Sequence, residues 1–155
     1  MNHYDPVIVP LSLFAQKRNG ECLAACALMV LHFLSIPADY GRIVRLLEIS
    51  ELGAPFRQLR RLQSLGVGVT LARGTLPRIY QHLADGVPCI VAVETRELPY
   101  WGGIASPHAV VVRGMNGRYV ELLDPGFQTG PFRVTHGDFE LAWLERDEEY
   151  ATVTL

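Results

Sequence analysis

Between Cys22 and Leu34 the chain reads CLAACALMVLHFL, thirteen residues among which only His32 is polar. A run that is apolar on every side predicts a helix enclosed by the rest of the molecule, not one with a wet face. Enclosing it requires layers of other elements, and 155 residues with 49% hydrophobic content supply enough for one domain over 1–155. The segment ahead of the run, Gln16-Lys17-Arg18-Asn19-Gly20-Glu21, is polar. Cys22 therefore stands in the first turn, where unpaired backbone N–H groups and the positive end of the helix dipole favour a thiolate. Asn19-Gly20 reads as the turn and cap, and Ser35-Ile36-Pro37 as the stop.

Lys17 and Arg18 before an apolar run resemble a signal anchor, and Leu23-Ala24-Ala25-Cys26 a lipoprotein cleavage box. Thirteen residues fall short of the roughly 20 that span a bilayer, and a lipoprotein cysteine follows its apolar segment, whereas Cys26 lies near the start of this one. No membrane segment is expected. Three cysteines, an odd number in a chain that needs no staples, point to a reducing compartment, and cytoplasm is the expected location. A net charge of -2 gives no field that would recruit nucleic acid. The motifs GxxxxGK[ST], GxGxxG, HExxH and CxxC do not occur, so neither a metal centre nor a cofactor is expected.

Pro6 and Pro10 make residues 1–15 an extended lead-in. Residues 40–48 and 56–65 read as amphipathic helices, the second with Arg57, Arg60 and Arg61 on its outer side. A strand over 67–72 and a helix opened by Thr75-Leu76-Pro77 follow. From Pro88 the period changes to two: strands are expected at 89–94, 108–113, 119–123, 132–135 and 150–155, with a short helix at 139–144. Helices first and strands afterwards predict an α+β fold with a largely antiparallel sheet.

A thiol nucleophile needs a base within hydrogen-bond reach and a third group that fixes the base. His108 opens one strand, Asp124 closes the next, and the turn between them is Met115-Asn116-Gly117. A two-residue Asn-Gly loop would put the two side chains on opposite faces, whereas a three-residue loop over 115–117 sets them directly opposite on one face. The second register is the expected one. Gln16, six residues before Cys22, can curl back beside the thiol and, with the Cys22 N–H, donate to the oxyanion of an acyl intermediate. Trp101, Gly102 and Gly103 precede His108 and are candidates for a narrow subsite. Cys26 and Cys89 read as packing residues, as does His32. His3, His82 and His136 fall in segments that look exposed.

The pattern Gln16-x5-Cys22-x3-Cys26 at the start of a buried helix, followed by His108-Ala-Val-Val-Val and Asp124-Pro125, resembles the bacteriocin-processing, double-glycine leader peptidases and their free-standing relatives, which are papain-like cysteine peptidases. Gly86 to Val91 resembles that family's strand before the histidine segment, and Phe139 with Trp143 its C-terminal piece. The resemblance implies a papain-like fold and cleavage of a peptide or protein substrate after a Gly-Gly leader. It also implies Gln16, Cys22, His108 and Asp124 as oxyanion donor, nucleophile, base and orienting group. Glu21-Cys22-Leu23 departs from the family's Asp-Cys-Gly, and the larger Leu23 is expected to reshape the groove beside the thiol. The membrane and ATPase domains of the transporter-linked members are absent from this sequence. Two other readings use the same residues: an acyltransferase or deamidase, and a leader-binding module without turnover.

Overall fold

The computed structural model describes residues 4–155; His3 lies outside them. Helix α1 spans Cys22–Phe33, and its residues 23–31 are all buried. His32 sits at the exposed end of α1, its ring nitrogen 3.3 Å from the Ala38 carbonyl oxygen, so the expected core histidine is a surface one. The cap also differs from expectation. Glu21 occupies the N-cap position without a side-chain cap bond, and the first backbone bond of the helix runs from Ala25 N–H to Glu21 O.

Helix α2 spans Tyr40–Leu46 and is capped by Asp39, which accepts from Arg42 N–H. Residues Phe56–Leu65 form a 3-10 helix and not the expected α-helix. Phe56, Leu59, Leu62 and Leu65 recur at strict intervals of three, the spacing that eclipses on a 3-10 helix and drifts on an α-helix. Helix α3, Leu76–Ala84, starts at Thr75, whose hydroxyl accepts from Arg78 N–H.

The strands are β1 (Val7–Ile8), β2 (Gly68–Arg73), β3 (Cys89–Glu94), β4 (Pro107–Met115), β5 (Tyr119–Leu123), β6 (Phe132–Thr135) and β7 (Glu149–Thr154). Helix α4, His136–Leu144, lies between the last two. They form one antiparallel sheet in the order β2-β7-β3-β4-β5-β6, with β1 pairing the end of β4 beyond the reach of β3. The architecture is the expected α+β, largely antiparallel one. Strands β3 and β4 read as continuous apolar runs because both their faces are buried, with α1 packed on β4 and α4 on β3.

The β4–β5 hairpin departs from the expected register. Its loop is Gly117–Arg118: Asn116 N–H bonds Tyr119 O, and the Asn116 side chain accepts from the N–H groups of Arg118 and Tyr119 at 2.8 and 2.7 Å. Met115 pairs with Val120 and Gly114 with Glu121. Carried through unbroken, that register would put His108 and Asp124 on opposite faces. A bulge at Arg113 intervenes, and beyond it Val112 pairs with Leu122 and Val111 with Leu123. Extending the ladder sets Val110 opposite Asp124, so His108 shares its face as a diagonal neighbour and not a direct one. Glu121, 6% exposed, bonds the Arg113 guanidinium at 3.3 Å and that of Arg133 at 2.9 Å, which ties the bulge across three strands.

Candidate active site

Cys22 is half-buried at the first position of α1, and the amides of residues 22–24 precede the first intrahelical bond. The loop that delivers it is held by Tyr40 of α2. That hydroxyl donates to Glu21 Oε1 at 2.7 Å and accepts from Lys17 N–H at 3.1 Å, while Phe14 stacks on its ring at 5.2 Å. Gly20, at φ +84°, permits a close approach that a side chain would block: an added Cβ would lie 2.8 Å from Glu51 O.

His108, opposite Val93 in the sheet, has a side chain only 5% exposed. Its Nε2–H donates to Asp124 Oδ1 at 2.7 Å. Cys22 lines the same cleft as this ring, whose Nδ1 is the nitrogen not taken by Asp124. Burial opposes a charge on this ring, but the bond to Asp124, the neighbouring Cys22 sulfur and the charges of both outweigh it, and His108 is pushed up to about 9.

Asp124 is fully buried and accepts four hydrogen bonds. Oδ1 takes His108 Nε2–H and Gly126 N–H at 2.7 and 2.8 Å; Oδ2 takes the Tyr100 hydroxyl and Trp101 Nε1–H at 2.7 and 2.9 Å. Burial alone would raise the carboxyl, yet His108, Trp101 and Tyr100 hold it below the usual carboxylate range. The Trp101 ring meets His108 edge-on at 5.0 Å and Phe127 at 5.3 Å, while Tyr100 stacks on Phe132 at 4.0 Å. Gly126 leaves the space for this: a Cβ there would lie 3.1 Å from the Trp101 ring.

Gln16, Cys22, Leu23, Trp101 and His108 all line one cleft of about 480 Å³. The Gln16 N–H donates to Pro125 O at 2.8 Å, and its side-chain Oε1 is buried with no partner among the described residues. Gly102 and Gly103, both left-handed, lie on an exposed turn outside the lining, so of the three expected subsite residues only Trp101 faces the cleft. Cys26 and Cys89 are buried; burial pushes the first thiol up and holds the second up to about 12. Among the described residues no group of three or more potential ligands could hold a metal ion. His82 and His136 are half-buried, against expectation, and bond the Tyr150 hydroxyl and Asn116 O.

Sequence reasoning missed Tyr100 and Gly126, and it took Trp101 for a subsite residue only. No local signal marks Tyr100: a tyrosine after a proline becomes a partner of Asp124 only because the β3–β4 connection folds back over the end of β5. The turn over 50–53, which contributes Glu51, Leu52 and Gly53 to the lining of the cleft, also carries no signal in the sequence.

A histidine on an antiparallel sheet set against a cysteine at the head of a buried helix is the papain-like arrangement, and the class that it defines is the cysteine peptidase. Within that class the chain belongs to the peptidase C39 family, whose model matches residues 11–146. Solved structures share the fold at low identity. A C39-like peptidase from Bacillus anthracis superposes with a TM-score of 0.80 at 16% identity, covering 97% of this chain and 98% of that one. A double glycine motif protease from an AMS/PCAT transporter, in complex with the leader peptide, gives 0.75 at 17%, covering 96% of each chain. The peptidase domain of Streptococcus ComA, a bi-functional ABC transporter involved in quorum sensing, gives 0.74 at 16%, covering 98% of each. No curated protein sequence matches this chain. Among the described residues no helix is long and apolar enough to cross a membrane.

Proposed function

We propose that the chain hydrolyses a peptide bond with Cys22 as nucleophile, His108 as base and then acid, Asp124 as orienting group and Gln16 as oxyanion donor. The observation that carries this reading is the position of His108, bonded through Nε2 to a buried carboxylate and lining one cleft with Cys22. Cys22 gives its thiol proton to His108, Sγ attacks the carbonyl carbon, and the C=O electron pair moves to oxygen, where the Gln16 amide and the Cys22 N–H stabilise it. Collapse expels the amine, which takes its proton from His108 and leaves a thioester. Water then gives a proton to His108, attacks the thioester and releases the acid and the thiol.

The substrate is a peptide or protein that carries a Gly-Gly leader site. The family match supports it, as does a structural neighbour that is a double glycine motif protease bound to a leader peptide. Three free thiols fit work in a reducing compartment such as the cytoplasm. The test is turnover of a leader peptide ending in Gly-Gly by the wild type and two variants. Cys22→Ala should fold and be inactive, and Cys26→Ala should keep activity; the reverse pattern would overturn the assignment. An added amine that captures the acyl group in preference to water would move the reading to acyl transfer, and a folded protein that binds leader without cleaving it would move it to a binding module.

A further inference from the structure

The lining of the cleft contains two charged side chains besides the histidine: Glu51 on the wall of the 50–53 turn, and Arg146 in the stretch between α4 and β7. Arg146 is half-buried, and its backbone is pinned at both ends, N–H to Trp143 O at 3.0 Å and carbonyl to Glu149 N–H at 3.3 Å. The carboxylates on either side of it in sequence are committed elsewhere: Glu145 pairs with Arg96 at 3.2 Å and Asp147 with Arg73 at 3.9 Å. No carboxylate among the described residues lies within 4.0 Å of the Arg146 guanidinium.

The wall next to it is built small. Ala92 and Ala109, cross-strand partners on β3 and β4, line the same cleft with Ser106 and Pro107, and all four side chains are small. A cleft of about 480 Å³ is about 10 Å across if round, which is about three residues of extended peptide. The two glycines that precede the scissile bond would present no side chain to this space. An arginine that is half-buried, with no ion-pair partner for its guanidinium among the described residues, is a bidentate site for a carboxylate.

We infer that Arg146 is a specificity determinant that binds the carboxylate of an Asp or Glu side chain within about three residues of the scissile bond. The substrate class is then narrower than a Gly-Gly leader: it carries an acidic residue at one fixed distance from the cut. This inference rests on the peptidase reading.

The test uses the full chain and quenched peptides with one Gly-Gly cleavage site. A single Glu is moved through the three residues on each side of the bond, replacing a glycine at two of them, with Gln and Lys series as controls. At one position Glu should exceed Gln by about 10-fold in kcat/KM, the effect of one charge-assisted bond in a half-buried site. Arg146→Gln should abolish that preference, and Arg146→Glu should transfer it to Lys at the same position. Equal or lower rates with Glu at every position, a preference for Lys in the wild type, or a Glu preference that survives Arg146→Gln would overturn the inference and leave the peptidase reading intact. No cleavage of any peptide by a protein whose Cys22 still reacts with iodoacetamide would overturn the peptidase reading, and this inference with it.

Discussion

Replacing Asp124 by Asn keeps the shape of the side chain and removes its charge, and the four donors converging on it make the outcome calculable. If the amide oxygen keeps His108 and Gly126, its NH2 group faces the Tyr100 hydroxyl and Trp101 Nε1–H. The hydroxyl can rotate and accept, but an indole N–H only donates, so one buried donor is left opposed to another. That unsatisfied donor costs about 1–3 kcal/mol, and losing the charge on the bond to His108 costs about 1.5–3 more. The expected destabilisation is about 2.5–6 kcal/mol, a large part of the about 5–15 that holds a domain together. The rise of His108 from 6.5 to about 9 gives an independent figure of the same size, about 3 kcal/mol at ~1.4 kcal/mol per pH unit. Urea unfolding at pH 7 measures the first quantity, and NMR titration of His108 in the folded variant measures the second. A variant within 1 kcal/mol of the parent, with His108 still titrating near 9, would refute the claim that Asp124 holds the ring.

The same pair sets the pH dependence of stability. Because the folded state raises His108, its contribution is complete below about 6.5 and is lost as pH rises toward about 9, so the unfolding free energy should fall by about 3 kcal/mol across that window. Asp124 is lowered in the folded state, so its contribution is present above 3.8 and is lost as pH falls below that value. In His108→Ala the decline between about pH 6.5 and 8 should vanish in a denaturation series, while the loss above about 9 that comes from the buried Cys26 and Cys89 thiols remains. Gly126→Ala should push a Cβ against the Trp101 ring and Asp124 Oδ1, at 3.1 and 3.2 Å, costing about 1–3 kcal/mol as an overpacked site. With Trp101 displaced, its fluorescence should change and kcat/KM should drop about 10-fold or more; wild-type values of both would mean that the indole is not seated as described.

Helix α1, the strands of the sheet and the pairing of His108 with Asp124 follow from patterns spanning a few residues each: an apolar run, alternation, and two chemically apt residues flanking one turn. What was not legible depends on contacts between segments distant in sequence. The hairpin loop lies further along than expected because the Asn116 side chain captures two backbone N–H groups in place of the turn that Asn-Gly would otherwise make. The bulge at Arg113 is held by Glu121, a charge whose burial between two arginines no alternation pattern reveals. Tyr100 and Trp101 reach Asp124 across 24 and 23 residues, from a short 3-10 turn with nothing in its own sequence to direct it. Residues 56–65 were read as an α-helix although their strict interval of three already fitted the tighter helix.

The bulge at Arg113 gives the hairpin one residue of slack, and this governs which length changes it can survive. Residues added between Asn116 and Tyr119 lie outside the ladder and leave both faces unchanged. A residue lost from β4 between His108 and Met115 can be absorbed by straightening the bulge, which keeps His108 and Asp124 on a common face. A residue lost from β5 has no such reserve: the carboxylate turns to the other side of the sheet, away from the ring it holds. Length variation in this hairpin is therefore asymmetric, free at the tip, buffered once on the histidine strand and forbidden on the aspartate strand.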